Sequence, residues 1–242
     1  MNDAFDKSTI GEIVATDFRA AGVFEQFGID FCCGGRRSLA EACDHAAADV
    51  TAVTRALTDL PPAVAEDDAD VTRWSIERLI DHILATHHAY VRSALPVIAR
   101  HLSKLVEVHG ARHPELARIA ALFDEMARDL LQHMMKEERV LFPYLHELAA
   151  SRDAALAASP FGTVENPIRM MEREHREAGD GMRLVRELTS GYVAPPDGCT
   201  TYRVAFAELA AFERDLHRHV HLENNVLFPK SIELERRVWR PA

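Results

Sequence analysis

His133-Met134-Met135-Lys136-Glu137-Glu138-Arg139-Val140-Leu141-Phe142-Pro143 returns 86 residues later as His219-Val220-His221-Leu222-Glu223-Asn224-Asn225-Val226-Leu227-Phe228-Pro229. Both stretches read H-x-x-x-E-x-x-V-L-F-P. An internal repeat of this kind predicts two similar helical hairpins, each ending in the motif. Residues four apart lie on one face of a helix, so each motif aims an imidazole and a carboxylate the same way. Val140-Leu141 and Val226-Leu227 continue that face one turn on, which predicts that the His/Glu pairs are buried. Two buried carboxylates facing each other repel and carry a desolvation cost, and a multivalent cation relieves both.

The other two helices of such a bundle supply the missing donors. His88 lies 45 residues before His133, and His175 lies 44 before His219. The near-equal intervals assign them equivalent places. His82 and His87 crowd the same helix as His88, but His88 shares a stripe with Leu84 and Val91. The donor set is therefore His88, His133, Glu137, His175, His219 and Glu223. Four nitrogens and two carboxylates suit two first-row metals better than magnesium or a tetrahedral structural zinc, and iron is the expected metal. The glutamates can bridge, leaving two histidines per metal and open positions for water, oxo or a small diatomic ligand. The competing reading is two buried His/Glu hydrogen-bonded pairs with no metal.

Working outward, the periodicity is helical throughout. Ile76, Ile80, Leu84, Val91, Leu95, Ile98 and Leu102 make one apolar stripe; Leu116, Ile119, Leu122, Phe123, Met126 and Leu130 make a second. His113-Pro114 and Asn166-Pro167 read as starts of the second and third helices, the latter with Asn166 as cap. The fourth helix runs from about Thr201 towards Glu235. No strand pattern of useful length is present, so the fold class is all-α, an antiparallel four-helix bundle over 74–242.

Before it lies a small helical domain, 1–60, joined by a linker, 61–73, containing Pro61-Pro62 and an acidic run. Thr9-Ile10-Gly11-Glu12 and Ser38-Leu39-Ala40-Glu41 are capping boxes, Gly28 is a helix terminator, and residues 50–59 form a further short helix. Between them sits the loop Asp30-Phe31-Cys32-Cys33-Gly34-Gly35-Arg36-Arg37. Arg36, Arg37 and the following helix N-terminus predict a lowered thiol pKa for Cys32 and Cys33, with a redox, metal-handling or docking role. Cys43 and Cys199 read as ordinary small residues.

The 242 residues carry a formal charge of −10, with 48% hydrophobic and 27% charged side chains. No overall basic field invites nucleic acid, and no apolar run predicts a membrane span. Four cysteines, two of them adjacent, and no secretory signal predict a reducing cytoplasm. Glu174, beside His175, and Asp129, one turn before His133, are candidate supporting or channel carboxylates. His45, His101, His109, His113, His146, His217 and His221 read as surface or packing residues.

With these residues in hand, nearly the whole chain resembles the iron–sulfur cluster repair di-iron (RIC) family. The segments His133 to Glu138 and His219 to Leu227, with Glu174-His175, match its hemerythrin-like bundle, and Phe31-Cys32-Cys33-Gly34-Gly35 matches its N-terminal vicinal-cysteine domain. The family pattern also favours His88. The resemblance implies two non-haem iron ions, carboxylate-bridged and oxo-bridged when oxidised. It also implies a part in recovering iron–sulfur proteins after nitrosative or oxidative stress. Supply of iron to damaged clusters is the first expectation. Binding or reduction of nitric oxide, for example during denitrification, is the alternative, and only that reading makes the protein an enzyme. An oxygen carrier or redox sensor is a third possibility, weakened by the cysteine domain. Expected partners are nitric oxide or another diatomic ligand, damaged iron–sulfur proteins and a second copy of the chain in a homodimer.

Overall fold

The computed structural model describes residues 5, 7–60, 70–150 and 161–238. Among these, every regular element is helical. The acidic stretch at 61–69, most of the expected linker, lies outside the described residues. Val71–Arg73 is a short 3-10 turn, and the first bundle helix starts after Ser75, whose side chain accepts from the Arg78 N–H.

Four short helices come first: α1 (Ile10–Thr16), α2 (Ala20–Gln26), α3 (Leu39–His45) and α4 (Val50–Thr58). Both capping boxes form. Thr9 and Ser38 accept from the amides of Glu12 and Glu41, and each glutamate reaches back to its cap. Gly28 follows α2 with φ +68°, the left-handed conformation that ends a helix at little cost in a glycine.

Four long helices follow. α5 joins Ile76–His82, a π-helical turn Ile83–His88 and Ala89–His109. α6 joins Glu115–Lys136, a π-turn Glu137–Leu141 and Phe142–Ala150. α7 is Glu165–Leu188. α8 joins Thr200–Leu222, a π-turn Glu223–Leu227 and Phe228–Val238. Each packs on its chain neighbours, and α8 closes the ring against α5.

The stripes read from the sequence face inward: Ile80, Val91, Ile98, Ile119 and Phe123 are almost fully buried, and Leu84 and Leu122 are half-buried. Each such side chain contributes about 1.5–3 kcal/mol by leaving water. Val140 departs from expectation, being 47% exposed while Leu141 is buried. Val226, at the same place in the matching π-turn of α8, is buried where α1 packs on that turn, so the difference lies in what covers each valine.

The start of α7 also differs. Asn166 and Pro167 lie inside the first turn, and the helix begins at Glu165. The cap comes from elsewhere in the chain. The buried Glu235 carboxylate, on α8, accepts from the Val164 N–H at 2.9 and 3.0 Å, the Thr163 hydroxyl at 2.7 Å and the Tyr144 hydroxyl at 2.7 Å. A local cap motif cannot reveal a carboxylate 71 residues away.

The N-terminal unit packs on the bundle wall. Asn225 donates to the carbonyls of Phe31 and Cys32 at 3.2 and 3.1 Å. Gly35 allows this approach, because a Cβ there would lie 2.1 Å from Asn225 Oδ1. His217 meets Glu25 at 3.0 Å and the Phe31 ring edge-on, and Arg36 pairs with Glu172.

Candidate metal centre

Each long helix sends one imidazole to the bundle axis, and α6 and α8 add a carboxylate each. His88, His133, His175 and His219 are at most 2% exposed, and Glu137 and Glu223 are wholly buried. The structure brings all six predicted residues together. They form two overlapping groups, His88, His219, Glu137, Glu223 and His133, His175, Glu137, Glu223.

The two carboxylates are shared in a regular way. Glu137 turns Oε1 to His133 Nε2 at 3.2 Å and Oε2 to His88 Nε2 at 3.4 Å. Glu223 turns Oε1 to His219 Nε2 at 3.1 Å and Oε2 to His175 Nε2 at 3.0 Å. Within the groups, His88 Nε2 lies 3.2 Å from His219 Nε2, and His175 Nε2 lies 2.9 Å from His133 Nε2. Each pair thus draws one histidine from each hairpin.

For three of the four histidines, a partner on the outer nitrogen orients the inner one; His219 Nδ1 has no hydrogen-bond partner among the described residues. His88 Nδ1 meets Glu138 at 2.7 Å, His133 Nδ1 meets Glu174 at 2.9 Å, and His175 Nδ1 donates to Asn224 Oδ1 at 2.8 Å. A proton held at Nδ1 leaves the Nε2 lone pair directed at the axis. Lone pairs then face lone pairs and carboxylate oxygens, and neither oxygen of Glu137 has a hydrogen-bond partner among the described residues. Such a nest needs positive charge at its centre. The ionisations show the same demand. Burial works against it, yet the Glu137 charge lifts His133 to about 10. Burial likewise opposes ionisation of Glu223, but His219 and His175 hold it well below the usual carboxylate range. The donor set and its overlap fit a pair of borderline cations.

Of the two candidate supporting carboxylates, Glu174 is engaged. Hydrogen bonds from His133 and, against partial burial, from Lys136 take it down to about 2. Asp129 is exposed and lines a cleft of about 480 Å³ between α6 and α7 that ends on His133 and His175. Glu138 and Asn224 were not singled out from the sequence. Their signal is position: Glu138 and Asn224, like Glu174, each stand next to one donor while serving a histidine on another helix. His87 is buried but turned away, with Nδ1 on Asp215 at 2.9 Å and its ring stacked on His219.

The cysteine loop overturns an expectation. Cys32 is buried, and its thiol is pushed well up by the adjoining Cys33, by burial and by Asp30. Arg36 is engaged by Glu172 instead, and the amide of Glu41 is taken by Ser38. Cys199 is not an ordinary small residue. It is exposed at the head of α8, 3.3 Å from His109 Nε2; that bond and the first amides of the helix lower its thiol to about 7.

Two protein families match the chain: the hemerythrin HHE cation binding domain over residues 79–231, and a domain of unknown function, DUF542, over 6–61. The chain is 35% identical to an iron-sulfur cluster repair protein YtfE of Dickeya chrysanthemi, across 94% of this chain and 97% of that one. It is 32% identical to a probable iron-sulfur cluster repair protein of Haemophilus influenzae, across 94% and 97%. Against the YtfE of Escherichia coli O157:H7 it is 30% identical, across 95% and 98%. Among the described residues no helix is long and apolar enough to cross a membrane. With a cation-binding bundle behind a DUF542 unit, and relatives matched end to end, the chain belongs to the hemerythrin-like iron–sulfur cluster repair family.

Proposed function

We propose that this chain is a di-iron protein of the nitrosative and oxidative stress response that repairs damaged iron–sulfur clusters by supplying iron. One observation carries the reading. Each of the two buried carboxylates turns one oxygen to the His88/His219 pair and the other to the His133/His175 pair. That layout supports two cations sharing two bridges. His88 and His219 would hold one iron, His133 and His175 the other, with Glu137 and Glu223 bridging. Bound iron supplies one-electron chemistry and open positions for a water, an oxo bridge or a diatomic ligand.

The chain's own residues do the rest. Glu138, Glu174 and Asn224 orient the imidazoles of His88, His133 and His175, so groups that never touch the metal tune its affinity. The cleft lined by Asp129, Glu174, Glu125 and Glu177 gives a cation an acidic path towards the His133/His175 side. Lys136, bonded to Glu174 at its edge, offsets part of that charge. Damaged iron–sulfur proteins in a reducing cytoplasm are the proposed recipients.

The test is direct. Protein loaded with labelled iron is incubated with a cluster enzyme inactivated by nitric oxide. Label and activity should both appear in the enzyme; label retained in the bundle ends the iron-supply reading. A second reading, nitric oxide binding or reduction, is favoured by the four-donor groups, which leave positions free. Titrating the reduced protein with nitric oxide should then give a nitrosyl spectrum, with nitrous oxide released only on turnover.

A further inference from the structure

We infer that Asp30, Cys32 and Cys33 form a second cation site, built for one thiophilic or borderline divalent ion and separate from the six donors of the bundle. It does not rest on the repair reading.

The three side chains offer one donor atom each, all within 4.8 Å of one another. Cys32 Sγ is 4.0 Å from Cys33 Sγ and 3.3 Å from Asp30 Oδ1. A tetrahedral ion with metal–sulfur bonds of about 2.3 Å and metal–oxygen bonds of about 2.1 Å would set these separations at roughly 3.8 and 3.6 Å. These two separations need shifts of only a few tenths of an ångström, and the third, Cys33 to Asp30, lies within 4.8 Å.

The loop is held ready for it. Asp30 Oδ1 accepts from the backbone N–H of Cys32 and Cys33 at 3.1 and 2.9 Å, which keeps the carboxylate over both thiols. From the bundle side, Asn224 and Asn225 hold the Cys32 carbonyl at 3.2 and 3.1 Å. At Gly34 an added Cβ would come within 2.5 Å of the Asp30 carbonyl, so the turn closes tightly around the acid. Cys32 is buried and Cys33 half-exposed, so one sulfur anchors the ion and the other faces its entry. Three donors leave a fourth position open, as in sites that exchange their cargo. Sulfur donors select a softer ion than the nitrogen and oxygen nest of the bundle.

Binding is a simple exchange. The divalent ion forms two metal–sulfur bonds and one metal–oxygen bond, and the two thiol protons leave to solvent; no oxidant is required. A bound cation offsets the negative charge that gathers where two sulfurs and a carboxylate meet.

The test uses the full chain, iron-loaded and anaerobic, with Cys199→Ser to silence the other accessible thiol. Cobalt(II) alone is titrated in. One equivalent should produce thiolate-to-cobalt charge-transfer absorption, which the bundle donors cannot give. The band should vanish in C32S and in C33S, and D30N should weaken binding at least tenfold. No band at excess cobalt overturns the site, as does a band surviving in the C32S/C33S double variant; unchanged affinity in D30N removes the carboxylate from it. A measurement that leaves Asp30, Cys32 and Cys33 unchanged guards against misfolding. Zinc added to the C199S chain should shield both Cys32 and Cys33 from alkylation, and alkylation at the metal-free rate counts against the proposal.

Discussion

The carbonyl of Cys32 and the imidazole of His175 are held by one side chain: Asn224 accepts from His175 Nδ1 and donates to Cys32. Asn224→Leu removes both bonds. Iron affinity measured by chelator competition should fall about 10–100-fold, and Cys33 should become easier to alkylate. Asn224→Asp keeps an acceptor for His175 and should restore most of the iron affinity without restoring the hold on the loop.

Glu137 and Glu223 each face both histidine pairs, so under the proposed di-iron reading losing either carboxylate should disturb both metal positions. Glu223→Gln is expected to lower iron content from the proposed two per chain to one or fewer while helical content stays unchanged. Metal analysis with Mössbauer spectroscopy reads the result; two coupled irons in that variant would remove the bridging assignment.

Glu235 ties the start of α7 to the end of α8. Glu235→Ala takes the carboxylate acceptor from the buried Val164 N–H and should cost about 1–3 kcal/mol. Urea denaturation checks it. The loss should also appear as early amide exchange at residues 164–168.

Cys199 should be the most readily alkylated cysteine. Its thiol titrates at about 7, held down by His109 and the helix amides, so the thiolate fraction grows as pH rises through that value. Between about pH 6 and about pH 8 its alkylation rate should increase about tenfold. His109→Ala should move the inflection upward, whereas Cys43, raised by burial, should stay slow. Peptide mass spectrometry after timed iodoacetamide pulses separates the sites.

The six donors were legible because helix geometry writes them into the chain as fixed intervals: His and Glu four apart, repeated, with His88 and His175 at matching distances upstream. The residues behind them were not. Glu138 acts on α5 and Asn224 on α7 although both sit on other helices, and no spacing along one helix encodes a partner across the bundle. Glu174 was noticed for adjoining His175, yet it serves His133. The cysteine loop misled for a related reason. Nearby arginines suggested a field favouring thiolate, but one of them is spent on Glu172, while Asp30, two residues before Cys32, folds back onto its sulfur. Val140 shows a limit of periodicity, since its repeat partner Val226 is buried where α1 packs on it and nothing along either helix encodes that cover.

Those three π-turns, at 83–88, 137–141 and 223–227, carry a lasting consequence. Each takes up its surplus residue by widening, so a one-residue deletion that closes it to an α-turn keeps both halves of the helix on the same faces. The oily seam that glues the far half to its neighbours survives such a change. What is altered is the turn itself, where His88, Glu137 and Glu223 sit, so the chemistry can be dismantled while the architecture stands.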